Sequence, residues 1–208
     1  MSLSDFFTPV DLSAIAPKNG YYTSHLGSKI NCYTEQFPDL DQPVDIAIIG
    51  VQEDRNAINN PGCALAPDYV REKLYQLYEG AYTTKIADLG NIRQGESITD
   101  TYYALKTVVA ELVKKDIIPL IIGGGQDLTY AQYLGYEALE QKVDLVIVDS
   151  HFDLEEDEHT DTIATTSNSY LSKIFLHEPN YLFNFSNLQN LHTTRKLPFY
   201  FVFFCIAE

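Results

Sequence analysis

Three side chains near the middle of the sequence have the types and the spacing for metal chemistry. Asp149, His151 and Asp153 stand at alternate positions in Asp149-Ser150-His151-Phe152-Asp153. On an extended backbone, residues i, i+2 and i+4 project to one side, so the three can converge on a point. Two carboxylates and an imidazole make a hard, oxygen-rich set. It suits a divalent ion such as manganese better than zinc, which favours sulfur and nitrogen. The same residues also fit a plain polar strand end, with solvated acids and a histidine capping a loop.

The flanking elements favour a site. The apolar run Val143, Leu145, Val146, Ile147, Val148 leads straight into Asp149. An earlier run, Ile117, Ile118, Leu120, Ile121, Ile122, meets Gly123, Gly124 and Gly125, and a helical stretch separates the two runs. Strand, tight turn, helix and strand form a βαβ unit, whose strands are expected to be parallel neighbours with a right-handed crossover. Continuous apolar strands imply cover on both faces, and such sheets gather ligands at their carboxyl ends.

The pattern continues upstream. Asp45 to Val51 reads as a short buried strand, the first of the sheet, followed by a polar loop with Glu53, Asp54 and Arg55. Ala66-Pro67-Asp68 opens a helix, with proline and an acid in its first turn. Val70, Leu74, Leu77 and Tyr78 are its expected core-facing stripe. Lys85 to Asp88 predicts another strand, ending in a Leu89-Gly90-Asn91 turn. Ser97 and Asp100 approximate a capping box, and Ile98, Tyr102, Leu105, Val109 and Leu112 follow at helical spacing. Further on, Thr165 to Ser169 can cap a helix near Tyr170 or line a polar pocket, and Tyr181 to Phe185 reads as a strand. Alternating strands and helices predict an α/β fold with a wound, mainly parallel sheet.

The 208 residues are 45% hydrophobic, enough for one large domain with a sizeable core. Residues 1–43, punctuated by Pro9, Pro17, Pro38 and Pro43, read as an irregular N-terminal arm, with His25 a packed or surface histidine. The α/β domain spans 44–187, and 188–208 form an atypical tail. Phe199 to Ala207 are nearly all aromatic or aliphatic, with β propensity but no polar alternation. The tail reads as a final strand buried by a neighbour or as an aggregation-prone terminus, and its abruptness suggests a chain truncated or out of frame after about Asn187. An unfinished sheet would expose an edge prone to association, so a homo-oligomer is one expectation.

A formal net charge of -15 argues against nucleic acid or an anionic membrane as partner, and suits a cationic ligand. Cys32, Cys63 and Cys205 form neither a zinc-type pair nor a disulfide framework, so the expected compartment is the reducing cytoplasm. The N-terminus lacks the basic region and apolar core of a signal peptide, and no apolar run approaches the roughly 18 residues of a membrane span. Glu155 to Glu158 read as a solvated acidic loop, which leaves His159 exposed.

Three glycines between a strand and a helix also invite a dinucleotide reading. That fingerprint needs Gly-x-Gly-x-x-Gly, and the third glycine here would be Leu128. Asp149 lies where a ribose-binding acid belongs, although a ribose site needs neither His151 nor Asp153. No lysine follows the glycines, which excludes a nucleoside-triphosphate P-loop. A third possibility is that the glycines only permit a sharp turn.

Taken together, three stretches resemble the arginase superfamily, the ureohydrolases, and within it the formimidoylglutamase-like branch. Ile49-Gly50-Val51-Gln52-Glu53-Asp54 with Gly62 to Arg71 is similar to the family's opening strand, loop and Gly-Ala-x-x-x-Pro-x-x-x-Arg helix entry. Gly123 to Thr129 stands where the family has Gly-Gly-Asp-His-Ser-x-Thr, and Asp149 to Asp153 matches Asp-Ala-His-x-Asp. The resemblance implies a three-layer α/β/α fold, incomplete at the C-terminus, with a two-manganese (Mn2+) site at the strand ends. There, two cations lower the pKa of a shared water that attacks a guanidinium or amidine carbon. The implied substrate is a small cationic amidine or guanidine such as formimidoylglutamate, arginine or agmatine.

Carried over by resemblance, Asp149, His151 and Asp153 are metal ligands, and Gln126 stands in for the family's glycine-loop histidine. Ser167 and Asn168 fall near the substrate loop, and His159 or His177 is the candidate acid/base. Residue 125 is glycine where the family has an acid, and no Asp-x-Asp segment follows because no aspartate lies beyond Asp161. A non-catalytic homologue that keeps the fold and a weak metal or small-molecule pocket is the alternative.

Overall fold

The apolar runs near residues 46 and 118 become adjacent parallel strands. The computed structural model describes residues 2–57 and 60–140, together with Leu145–Val146, Ile174 and Tyr200–Phe201. Among these, the strands are β1 (Phe7–Thr8), β2 (Asn31–Cys32), β3 (Ile46–Val51), β4 (Ile86–Ile92), β5 (Ile118–Ile122), β6 (Leu145–Val146) and β7 (Tyr200–Phe201). The helices are α1 (Leu12–Ile15), α2 (Ala66–Leu74), α3 (Ile98–Lys114) and α4 (Leu128–Glu137). The main sheet runs β1-β4-β3-β5, with β2 also paired to β4. β3 is parallel to both neighbours, Ile46 facing Ile86 on one side and Ile118 on the other. Among the described strands, only β1 is antiparallel to its partner.

Side-chain alternation along β3 sets the layers. Ala47, Ile49 and Val51 join Ala87, Leu89 and the α3 residues Leu105, Val108, Val109 and Leu112 in one buried cluster. Gly50 and Asp88 turn the other way, toward Arg71 of α2. Helices therefore cover both faces, which explains the near-continuous apolar text of β3. The α/β architecture with a mainly parallel sheet stands as expected. α3 begins at the predicted capping box: Ser97 N donates to Asp100 Oδ2 at 2.8 Å, and Asp100 N donates to Ser97 Oγ at 3.2 Å.

Two local expectations are corrected. The α2 stripe is not Val70, Leu74, Leu77 and Tyr78: Val70, Leu77 and Tyr78 are exposed, and the helix ends at Leu74. Its buried face carries Pro67 and Arg71 and continues to Tyr75. An arginine can face the sheet because its charge is met there. Arg71 Nε and Nη2 donate to the two Asp88 oxygens at 2.8 and 2.9 Å. Nη1 donates to Asn91 Oδ1 at 2.6 Å, and Tyr75 Oη donates to Asp88 Oδ2 at 2.7 Å.

The predicted Leu89-Gly90-Asn91 turn is instead a bulge inside β4. Ile48 pairs with Asp88 but Gly50 with Asn91, so β4 holds one extra residue. Gly90 takes φ 85°, and a Cβ there would lie 2.1 Å from the Thr8 carbonyl oxygen of β1.

The stretch read as an irregular arm supplies two of the sheet's short strands, and Phe7 is fully buried in the main core. His25 is a packed residue, held edge-on between Tyr22 and Tyr78 at ring distances of 5.0 and 5.6 Å. Of the 143–148 run expected beside β5, the described part is β6, which pairs in parallel with β7. The rest of that run lies outside the described residues. Among the described residues, no helix is long and apolar enough to cross a membrane.

Replacing Arg71 with Met leaves the buried Asp88 carboxylate without its counter-charge, so Arg71→Met is expected to cost about 3–5 kcal/mol. Urea unfolding of the two proteins measures this directly; a loss below 1 kcal/mol would mean that the clamp contributes little.

Candidate functional site

Because β3 and β5 are parallel neighbours in register, Gly50 facing Ile122, the loops that follow them leave the sheet side by side. They touch through backbone: Gly125 N donates to the Glu53 carbonyl at 2.8 Å. A Cβ on Gly124 would sit 1.9 Å from that same oxygen. Close approach of two main chains, rather than a left-handed conformation, is what requires glycine here. The third-glycine position of a dinucleotide loop is filled by Leu128, a buried side chain whose Cδ1 would lie 3.3 Å from a Gly123 Cβ. The turn is thus anchored on an apolar plug and lacks the close helix–strand approach that the dinucleotide fingerprint uses.

Under the junction lies a polar cluster. Glu53 is fully buried, and Arg55 Nε reaches its two oxygens at 2.9 and 3.1 Å. Arg55 Nη2 also donates to Glu53, as does the Arg55 backbone N–H at 3.0 Å. Thr101 Oγ1 on α3 donates to Glu53 Oε2 at 3.1 Å. Arg55 Nη1 reaches the Glu96 carbonyl at 2.9 Å, tying the loop to the entrance of α3. Two residues past Gly125, Asp127 is also buried, and its Oδ2 accepts a hydrogen bond from the Tyr102 hydroxyl. Asp127 Oδ1 has no partner among the described residues.

The two acids are tuned in opposite directions. Burial pushes the Glu53 carboxyl up, but the side-chain and backbone hydrogen bonds of Arg55, with its charge and Thr101, carry it below the ordinary value. Asp127 has only the phenol and local backbone to offset its burial, and the nearby Glu53 charge adds to that burial; its carboxyl is pushed up to about 6. Burial, followed by the Asp127 charge, also raises the Tyr102 phenol.

Of the sequence-predicted site residues, Gln126 is described: it lies half-buried in the turn between β5 and α4, beside the Glu53 loop. Asp149, His151, Asp153, His159, Ser167, Asn168 and His177 lie outside the described residues. Among those described, no three His, Cys, Asp or Glu side chains are grouped to hold a metal ion. The donor chemistry still fits a hard divalent cation. By residue type, Asp149, His151, Asp153 and Gln126 comprise two carboxylates, an imidazole and an amide, donors of the kind such a cation takes. Sequence reasoning gave no site role to Glu53, Thr101, Tyr102 or Asp127. The available signal was an acid in the loop after each of two buried strands, Glu53 past β3 and Asp127 past β5.

A sheet whose adjacent parallel strands end in paired loops, with helices on both faces, defines an α/β protein, and in such sheets ligands gather at the carboxyl edge. The chain belongs to the arginase family, whose family model matches residues 44–184. It is 32% identical over 130 residues to a formimidoylglutamase of Macrococcus caseolyticus, a match covering 58% of this chain and 40% of that one. The fold is similar to that of formimidoylglutamase from Bacillus subtilis, at TM-score 0.62 and 19% identity over 74% of this chain and 49% of that one. It is also similar to formiminoglutamase of Trypanosoma cruzi solved with Mn2+, at TM-score 0.57 and 22% identity over 67% of this chain and 53% of that one. The chain thus spans about half or less of the length of the relatives it matches.

Arg55→Gln removes the cation but leaves Glu53 buried, so the carboxyl is expected to rise instead of fall. Wild-type Glu53 contributes stability above the ordinary carboxylate value and loses it as pH falls through its lowered one. The variant should match wild type most closely in acid and lag by about 2–3 kcal/mol at neutral pH, a loss discounted because Arg55 is partly exposed. Denaturant midpoints across about pH 4–8 test this, and a pH-independent gap would contradict it.

Proposed function

We propose that this chain carries a ureohydrolase site that hydrolyses a carbon–nitrogen bond in a linear amidine, with formimidoylglutamate as the first substrate to test. What supports the reading above all is a family match that takes in both the glycine loop and the Asp149–Asp153 segment. The formimidoylglutamase relative directs the choice of substrate over arginine or agmatine. Asp149, His151 and Asp153, with Gln126, would hold manganese. Such an ion supplies a Lewis-acidic centre that lowers the pKa of water and polarises the electrophile.

Around that centre the chain's own residues take distinct roles. Ser167 and Asn168 orient the substrate, and His159 or His177 hands a proton to the departing nitrogen. Water adds to the amidine carbon and the carbon–nitrogen bond breaks, releasing formamide and the amine. The net charge of -15 draws a cationic amidinium toward the protein. The ureohydrolase-like unit occupies 44–187, with residues 1–43 adding two short strands to its sheet and 188–208 following, in a cytoplasmic protein that can self-associate. A second reading, a non-catalytic homologue with a weak metal pocket, is favoured by a specific observation: Gln126 is a neutral donor.

Manganese titration by calorimetry, coupled to an assay of formamide and glutamate release, separates the two. Catalytic turnover with formimidoylglutamate, abolished at least about 100-fold in Asp149→Ala, is expected from the first reading. Saturable manganese binding without turnover would establish the second.

A further inference from the structure

The chains leaving β3 and β4 meet at a hydroxyl near the start of α3. Thr101 is 1% exposed. Its Oγ1 donates to Glu53 Oε2 at 3.1 Å and accepts from the Gly95 backbone N–H at 3.0 Å. It also accepts from Arg55 Nη2 at 3.2 Å. A hydroxyl offers one proton and two lone pairs, so its whole bonding capacity is committed. A threonine inside a helix can instead bond back to the carbonyl four residues earlier. Thr107 of the same helix does so, its Oγ1 donating to the Tyr103 carbonyl at 2.8 Å. Thr101 directs its proton out of the helix, at the β3 loop.

The loops around this hydroxyl are pressed close. A Cβ on Gly95 would lie 2.2 Å from the Asp100 Cβ and 3.1 Å from the Thr101 nitrogen. The Glu53 main chain carries the link on to the β5 turn. Its carbonyl accepts from the N–H of Gly125, the residue beside Gln126, and its backbone atoms fill the space that a side chain at Gly124 would need. A shift of Glu53 therefore cannot leave that turn in place. We infer that Thr101 is a positioning residue for the candidate site. Its hydroxyl locks the Glu53 loop to the Gly95 loop, and Glu53 passes the constraint through its carbonyl to the turn bearing Gln126. Thr101 thus acts through Glu53 and Gly125 rather than on a reacting atom. Its bearing on hydrolysis rests on the proposed function; the linkage from Thr101 to Gly125 does not.

Amide hydrogen exchange on the full, metal-free chain reads the linkage directly. Thr101→Val keeps the shape and removes the hydroxyl, whereas Thr101→Ser keeps the hydroxyl. With valine, exchange at the Gly125 amide should quicken about tenfold beyond any change at Val109 in the middle of α3. Serine should return most of that protection. A role confined to general stability would instead move both amides together. With manganese saturating, Thr101→Val should also lower kcat for formimidoylglutamate about tenfold at little change in KM, and Thr101→Ser should recover it.

Gly125 exchange that keeps pace with Val109 in the valine variant, or that serine does not restore, would overturn the inference. Should the valine variant not fold, Glu53→Gln reads the same amide: quickened exchange at Gly125 supports the linkage, and unchanged exchange sinks it. A wild-type chain without turnover would count against the proposed function and leave the exchange result standing.

Discussion

Everything at the candidate site depends on two main chains running within hydrogen-bonding distance at the ends of β3 and β5. Parallel pairing brings Gly50 and Ile122 level, so both chains must turn outward from the same height. The contact between the Glu53 carbonyl and Gly125 N is the first consequence, and a glycine at 124 is the second. Any side chain there would have to displace backbone, which cannot rotate aside as a side chain can. The glycines are thus a packing requirement before they are a binding device.

The close junction also explains the charge pattern beneath it. Bringing two loops together over α3 buries their acids, and each acid is met differently. Glu53 has a guanidinium in its own loop and remains ionised at low cost. Asp127 has a phenol, a weaker partner, so burial dominates its titration. The other face of the sheet repeats the first solution. Asp88 is bound bidentately by Arg71, and the same guanidinium reaches Asn91 beyond the β4 bulge. Buried acids at this strand edge are tolerable where a cation or hydroxyl has been placed within reach.

Much of the frame was legible in the sequence, since it follows from periodicity. Ile46 to Val51, the α3 stripe from Tyr102 to Leu112 and the Ser97–Asp100 cap all formed as their patterns dictate. The misreadings share one cause, which is a tertiary partner that local pattern cannot contain. Nothing near Arg71 announces that Asp88 lies across from it, so the apolar residues of α2 were assigned to the wrong face. Gly90 has the local pattern of a turn, and the carbonyl of Thr8, far away in sequence, is what makes it a bulge glycine. For the site, the motif pointed to Gln126 but not to Asp127 and Tyr102, whose pairing joins α4 to α3 across the core.

The two-residue strand near the N-terminus has a consequence for synthesis on the ribosome. Phe7 pairs with Ile92, so the first hydrophobic residue of the sheet emerges long before the strand that shelters it. At about 5–20 residues per second, that interval is on the order of ten seconds. During it the nascent chain carries an unsatisfied aromatic group that a chaperone can hold. β1 can dock only once β4 has been made.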